Sequence, residues 1–291
     1  MLAWVASSIA AAGLACVAYG VAIERHAYRL VRREIAILPA DGPATLSVLH
    51  LSDLHFPAKD ERKTRFLASL PKADVTVVTG DFLAGSDGIE AAVAALRANR
   101  GRIASWFVLG SNDYFEPRFV NPLRYLVAGR ADRPRRAHRG RPRDLVSRLE
   151  ADGWRDLTNV HDEVDLDGLR VELLGLDDAH IRRHDLRLAP RRSPKGFGIA
   201  VMHSPDSAPE AVACDYRFVV AGHTHGGQVR LPIAGALVTN SDLPRTLVSG
   251  LIRMGDAFVH VSPGLGTGKY APFRFLCPPE ATLLELRQSQ R

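Results

Sequence analysis

Five short clusters of Asp, His and Asn, each directly behind an apolar run, hold the residues of this 291-residue chain best suited to chemistry. They read Asp53-Leu54-His55, Gly80-Asp81, Gly110-Ser111-Asn112-Asp113, Met202-His203 and Gly222-His223-Thr224-His225. The preceding runs, residues 46–51, 75–79, 105–109, 198–201 and 217–221, are rich in Val, Leu, Ile and Phe and read as buried strands. The polar clusters therefore fall at strand ends, and sites of α/β sheets assemble at the C-terminal ends of strands. Carboxylate, imidazole and amide ligands together suit two borderline-hard divalent ions such as Mn, Fe or Zn. Each cluster alone is an ordinary turn or cap, but five in one chain, all in the same position behind a strand, point to a metal site.

In order and type the clusters resemble the calcineurin-like metallophosphoesterase superfamily, whose pattern is D-x-H, G-D, G-N-H-[DE], H and G-H-x-H. The resemblance spans roughly residues 46–286. The segments His50-Leu51-Ser52-Asp53-Leu54-His55, 222–227 and Gly264-Leu265-Gly266-Thr267 resemble its small bacterial membrane-associated branch. The resemblance implies an α/β fold built as a four-layer αββα sandwich. It also implies two divalent ions: Asp53, His55, Asp81 and His225 would hold one, and Asp81, an asparagine, His203 and His223 the other, with Asp81 bridging. A metal-bridging hydroxide would attack phosphorus in line with the leaving oxygen, while the cations offset charge on the phosphate oxygens. His50, Thr224 and Asp113 would orient the ligands. The implied partner is an anionic phosphate-containing substrate: a phosphodiester, a pyrophosphate or a lipid-linked phosphate. The alternative is a catalytically weak metal-binding or scaffold protein of the same fold; the intact ligand set favours the hydrolase.

One motif departs from the family pattern. Gly110-Ser111-Asn112-Asp113 stands where G-N-H-[DE] is usual. A gapless alignment puts Ser111 at the metal-binding asparagine and Asn112 at the histidine that protonates the leaving group. A one-residue shift of the turn returns Asn112 to the metal, and is preferred because an amide oxygen is a good ligand and a serine hydroxyl a poor one. Either way no histidine remains in the motif, and Asn cannot act as a general acid at neutral pH. His180, in Gly175-Leu176-Asp177-Asp178-Ala179-His180 behind an apolar strand, could fill the gap. Its other reading is a surface loop histidine beside Arg182 and Arg183. The expected catalytic residues are thus Asp81, Asn112 and His180. A substrate with a good leaving group would need no acid.

The N-terminus carries the second signal. Residues 2–23 contain no charge, and as a helix would run about 33 Å, enough to cross a bilayer core. No Lys or Arg precedes the stretch, which argues against a signal peptide. Arg25, Arg29, Arg32 and Arg33 follow it against Glu24 and Glu34, so the positive-inside rule expects a single-pass membrane protein with a cytoplasmic catalytic domain. The expected layout is an anchor over residues 2–23, a juxtamembrane linker over 24–44 and a metallophosphoesterase domain over 45–287. Cys16, Cys214 and Cys277 form no disulfide or zinc spacing.

Most of the net charge of +6 lies in one stretch: residues 124–148 carry nine Arg against Asp132 and Asp144. Its part at about 124–143 reads as a basic loop insertion, either simply solvated or acting as a lid or membrane-surface patch for anionic head groups. No aromatic residue interleaves the arginines from 129 to 143, so nucleic acid is not expected. Nothing in the sequence points to a protein partner. Apolar spacing predicts helices over 61–70, 89–99 and 144–152, and strands over 163–166, 169–174, 198–202, 218–221, 228–231, 257–261 and 282–286.

Overall fold

The computed structural model describes residues 2–117 and 139–289. The apolar runs become the central strands of two six-stranded sheets. In the first, β1 (Arg29–Leu38), β14 (Glu280–Gln288), β2 (Thr45–Leu51), β3 (Val75–Thr79), β4 (Ala104–Val108) and β5 (Arg155–Asp156) lie side by side in that order. In the second the order is β12 (Gly250–Met254), β13 (Ala257–Val261), β9 (Phe218–Ala221), β8 (Phe197–Met202), β7 (Leu169–Leu176) and β6 (Val160–Leu166). The site-bearing strands pair in parallel, β2 with β3, β3 with β4, and β8 with β9. Parallel strands are buried on both faces, which is why they read as unbroken apolar runs.

Side-chain alternation sorts each strand between two cores. Leu46 and Val48 of β2 meet Val171, Leu173, Ile199 and Val220 in a core between the sheets. Leu49 and Leu51 point the other way, onto α2 (Glu61–Ala68), α3 (Ile89–Leu96) and α5 (Pro142–Ala151), through Leu67, Leu96, Leu145 and Leu149. On the far side, Ala200 and Met202 of β8 pack on Ala208 and Ala211 of α6 (Ala208–Ala213). The result is four layers, helix, sheet, sheet and helix. Truncating a fully buried inter-sheet residue such as Leu173 to Ala would cost about 2–5 kcal/mol.

One expectation meets a different structure. Residues 24–44 are no linker. β1 pairs in parallel with β14 from Arg29 onward, and buried Glu24 accepts the backbone N–H groups of Leu276 (3.0 Å) and Cys277 (2.5 Å). The strand is hidden in the sequence because it is an edge whose charged residues face water and cross-pair, Arg29 with Glu280 at 2.8 Å and Arg32 with Glu285 at 3.2 Å. The N-terminal stretch forms α1 (Leu2–Ala22), yet among the described residues no helix is long and apolar enough to cross a membrane. The end of α1 packs on the catalytic body: Arg274 N–H donates to Gly20 O at 3.3 Å, and Tyr19 meets Phe275 edge-on. Of the expected basic insertion, residues 124–138 lie outside the described residues. At its end, Arg141 pairs with Asp144 at 2.7 Å.

Candidate metal centre

β2, β3, β8 and β9 all end beneath one surface, and the chain leaves three of them in an unusual backbone state. Asp53 (φ 48°), His55 (43°), Asp81 (54°), His223 (70°) and His225 (50°) are all left-handed. Each such non-glycine residue costs on the order of 1–3 kcal/mol and persists only where its surroundings impose it. Here neighbouring loops impose it. Asp53 N–H donates to Gly80 O and His55 N–H to Asp81 O, both at 3.0 Å, and Gly222 N–H to His203 O at 2.8 Å. The motif glycines are required by close approach. A Cβ on Gly80 would sit 2.7 Å from Gly110 N and from His203 Nδ1, and one on Gly222 would overlap Ser52 Oγ.

The polar side chains converge as two groups around one carboxylate. His55 Nε2 lies 3.2 Å from His225 Nε2 and 3.6 Å from Asp81 Oδ2, and His225 Nε2 lies 3.6 Å from Asp53 Oδ1. On the other side His203 Nε2 is 3.2 Å from His223 Nδ1 and 3.6 Å from Asp81 Oδ1. Asp81 thus turns one oxygen to each group. Asn112 also reaches it, with N–H donating to Oδ1 at 2.8 Å and the side-chain amide to Oδ2 at 2.6 Å. Asp178 lies beside His203 and His223. The His180 ring stands 4.7 Å from that of His223, centre to centre. Ser111 opens the short helix α4 (Ser111–Tyr114).

The surrounding hydrogen bonds fix the ligand atoms. His203 donates Nδ1–H to Thr79 O at 2.6 Å, and His223 Nε2 reaches Asn240 O at 3.2 Å. Nε2 of His203 and Nδ1 of His223 are therefore turned to the centre. Asp113, fully buried, accepts the N–H groups of Asp81 (3.0 Å), Phe82 (2.8 Å) and Gly110 (2.9 Å), tying the second and third motifs together. A relay ends on Asp53. Ser52 donates to Asp53 Oδ2 at 2.5 Å, Thr79 to Ser52 at 2.7 Å, His50 Nε2 to Thr79 Oγ1 at 2.9 Å, and His260 Nδ1 to His50 Nδ1 at 2.8 Å. The histidine roles are assigned from the single proton each hydroxyl can donate. Thr224 instead bonds Val248 O at 2.6 Å, stiffening the turn between the candidate ligands His223 and His225.

The electrostatics call for cations. Burial lowers His55 and His223 to about 4 and drives His225 well down, leaving neutral imidazoles fit to ligate. Burial also pushes Asp53 up to about 6. Burial works against a charge on His203, but the carboxylates of Asp81, Asp178 and Asp53 outweigh it and push its pKa up to about 10. A divalent ion held there would supply the positive charge that these acids draw to His203 and would take the place of its proton. Asp53 Oδ1 is buried without a hydrogen-bond partner among the described residues, a costly state for a carboxylate that lacks a cation. The donor set fits divalent metal ions: Asp53, His55 and His225 come together on one side and Asp178, His203 and His223 on the other, with the Asp81 carboxylate between them.

Sequence reasoning missed three participants. Asp178 follows a strand just as the motif residues do, and only its neighbour His180 was singled out. His260 carries no motif, and its role depends on pairing across the sheets. Arg274 is fully buried and donates to the carbonyls of Gly266 (2.6 Å), Pro263 (2.8 Å) and Cys277 (3.0 Å), binding the loop beside His225. A lone Arg gives no advance sign of that.

Residues 46–227 match the calcineurin-like phosphoesterase family. The chain is 26% identical to the uncharacterized metallophosphoesterase YkuE of Bacillus subtilis (strain 168), over 82% of this chain and 77% of that protein. It is 23% identical to the phosphodiesterase YaeI of Escherichia coli (strain K12), over 89% of this chain and 88% of that protein. It is 27% identical to the transmembrane protein with metallophosphoesterase domain of Bos taurus, over 84% of this chain and 53% of that protein. The family match covers all five motifs, and those motifs build one buried cluster of carboxylates and imidazoles. The chain belongs to the calcineurin-like phosphoesterase family and is a metal-dependent phosphoric ester hydrolase.

Proposed function

We propose that the chain is a dinuclear-metal phosphoesterase acting on a phosphodiester, a pyrophosphate or a lipid-linked phosphate. The observation that carries this reading is Asp81, whose two oxygens each lie 3.6 Å from a histidine of a different group. Two divalent cations bound there supply positive charge for the phosphate oxygens and acidify water at neutral pH. The protein holds the ligands in place through Asp113, the Thr79 carbonyl and the relay to Asp53. The half-buried His180 imidazole, against His223, is the candidate donor of a proton to a leaving oxygen; Asn112 cannot be one. The relative named a phosphodiesterase supports the diester reading.

We further propose that residues 2–23 hold the protein at the cell membrane with its catalytic domain in the cytoplasm. Trp4, Leu14 and Val17 of α1 are exposed, the arginines follow the stretch, and one relative is named a transmembrane protein. Protease added to intact cells should then spare the domain; digestion there would reverse the orientation.

The purified protein, supplied with Mn, should hydrolyse members of a panel of mono- and diesters, pyrophosphates and nucleotide-linked lipids, and chelation should stop it. Metal-independent hydrolysis, or two bound ions with no turnover on any member, would contradict the proposed function.

A further inference from the structure

Asp177 and Asp178 follow β7, whose Leu176 pairs with Met202 of β8, so both sit on the same sheet edge as His203. Their environments differ. Asp177 is satisfied: it accepts from the Tyr114 hydroxyl at 2.8 Å and pairs with Arg183 at 2.9 Å. Asp178 is fully buried, and among the described residues its Oδ1 accepts only the backbone N–H of His180, at 2.7 Å. Its Oδ2 has no hydrogen-bond partner, and no Lys or Arg pairs with it, among the described residues. A carboxylate of Asp178 and ring nitrogens of His203 and His223 all lie within 4.8 Å of one another. A buried carboxylate oxygen without a donor is expensive unless a cation meets it.

We propose that Asp178 is a ligand of the metal ion on the His203 and His223 side. The inference rests on the dinuclear reading above and extends it. The donors on that side become Asp81, Asn112, Asp178, His203 and His223, three of them oxygens. The other side offers two imidazoles and two carboxylates, Asp53 and the shared Asp81, so oxygen makes up a smaller share of its donors. Oxygen-rich sets favour Mn or Fe over Zn, so the two positions differ in metal preference. The added carboxylate also offsets the altered third motif, where one side-chain amide stands next to serine.

Asp178→Asn separates the ligand role from the turn it caps. The amide oxygen still accepts the His180 N–H, while the partnerless oxygen becomes an amino group. Metal-free wild type and variant are titrated with Mn, with free Mn followed by electron paramagnetic resonance and bound metal counted per chain. Wild type should bind two ions. The variant should keep one and bind the second about 10–100-fold more weakly. Two ions held by Asp178→Asn with wild-type affinity would overturn the inference while leaving the dinuclear reading standing; a wild type that binds no Mn would overturn both. Should the variant fail to fold, anomalous scattering from Mn-soaked wild-type crystals decides: an ion bonded to Asp178 Oδ2 supports the inference, and one that bypasses that oxygen sinks it.

Discussion

His50 Nδ1 on β2 and His260 Nδ1 on β13 lie 2.8 Å apart, joining the two sheets through a buried pair of imidazoles. Both rings occupy the inward face of their strands, and the pair feeds the relay that ends on Asp53. A hydrogen bond between two Nδ1 atoms needs one of them unprotonated. Burial lowers both rings, His260 to about 3 and His50 well below its usual value.

That pairing sets an acid limit on stability. A histidine whose folded pKa is lowered binds protons in the unfolded chain first, so its stabilising effect is intact above about 6.5 and shrinks as pH falls toward the folded value. Two such groups should remove about 2–3 kcal/mol between pH 7.5 and 5.5. His260→Leu should be less stable at pH 7.5 by about 1–3 kcal/mol, because His50 loses its donor. Its further loss down to pH 5.5 should be smaller than that of wild type by about 1.4 kcal/mol. Denaturant unfolding at the two pH values checks both, and a wild type equally stable at each would contradict the neutral pair.

Asp113 should matter more for stability than its absence from the ligand set suggests. Three backbone N–H groups converge on its carboxylate, and Asp113→Asn would turn an amino group toward one of them. Each buried group left unsatisfied costs about 1–3 kcal/mol. Unfolding measurements on the metal-free protein should register that loss, and Mn should bind more weakly because Asp81 is no longer positioned. Wild-type stability in Asp113→Asn would remove the structural role assigned to it.

The third motif predicts a leaving-group preference. With Asn112 against Asp81 and no histidine in the motif, departure of an alkoxide lacks its usual acid, a contribution of about 10²–10⁴-fold. Phosphoanhydrides and aryl diesters should therefore outpace alkyl monoesters. If His180 supplies the proton, His180→Ala should slow alkyl esters far more than aryl ones. An enzyme fastest on alkyl monoesters and indifferent to His180→Ala would refute both versions.

How far the sequence disclosed this molecule follows from where its information lies. β2, β3, β4, β8 and β9 were legible because both faces are buried and each ends in a polar cluster. β13 and the core of β14 were legible as apolar runs as well. β1 was not, because an edge strand with Arg29, Arg32, Arg33 and Glu34 on it has no apolar period. β12 is likewise at an edge, and its partly exposed residues gave no clear alternation. The five motifs identified Asp53, His55, Asp81, His203, His223 and His225 as one chemical group. Which atoms face which depends on left-handed backbone at Asp53, His55, Asp81, His223 and His225, and that conformation is imposed by loops from other strands. His260 and Asp178 owe their roles to neighbours that are distant in sequence.

Counting metal ions tests the central claim most directly. Wild-type protein loaded with Mn should retain two ions per chain, and Asp81→Asn should retain fewer while its turnover falls at least about 100-fold. One carboxylate faces both histidine groups, so neutralising it should weaken both positions. Asp81→Asn that keeps two ions and wild-type turnover would contradict the account.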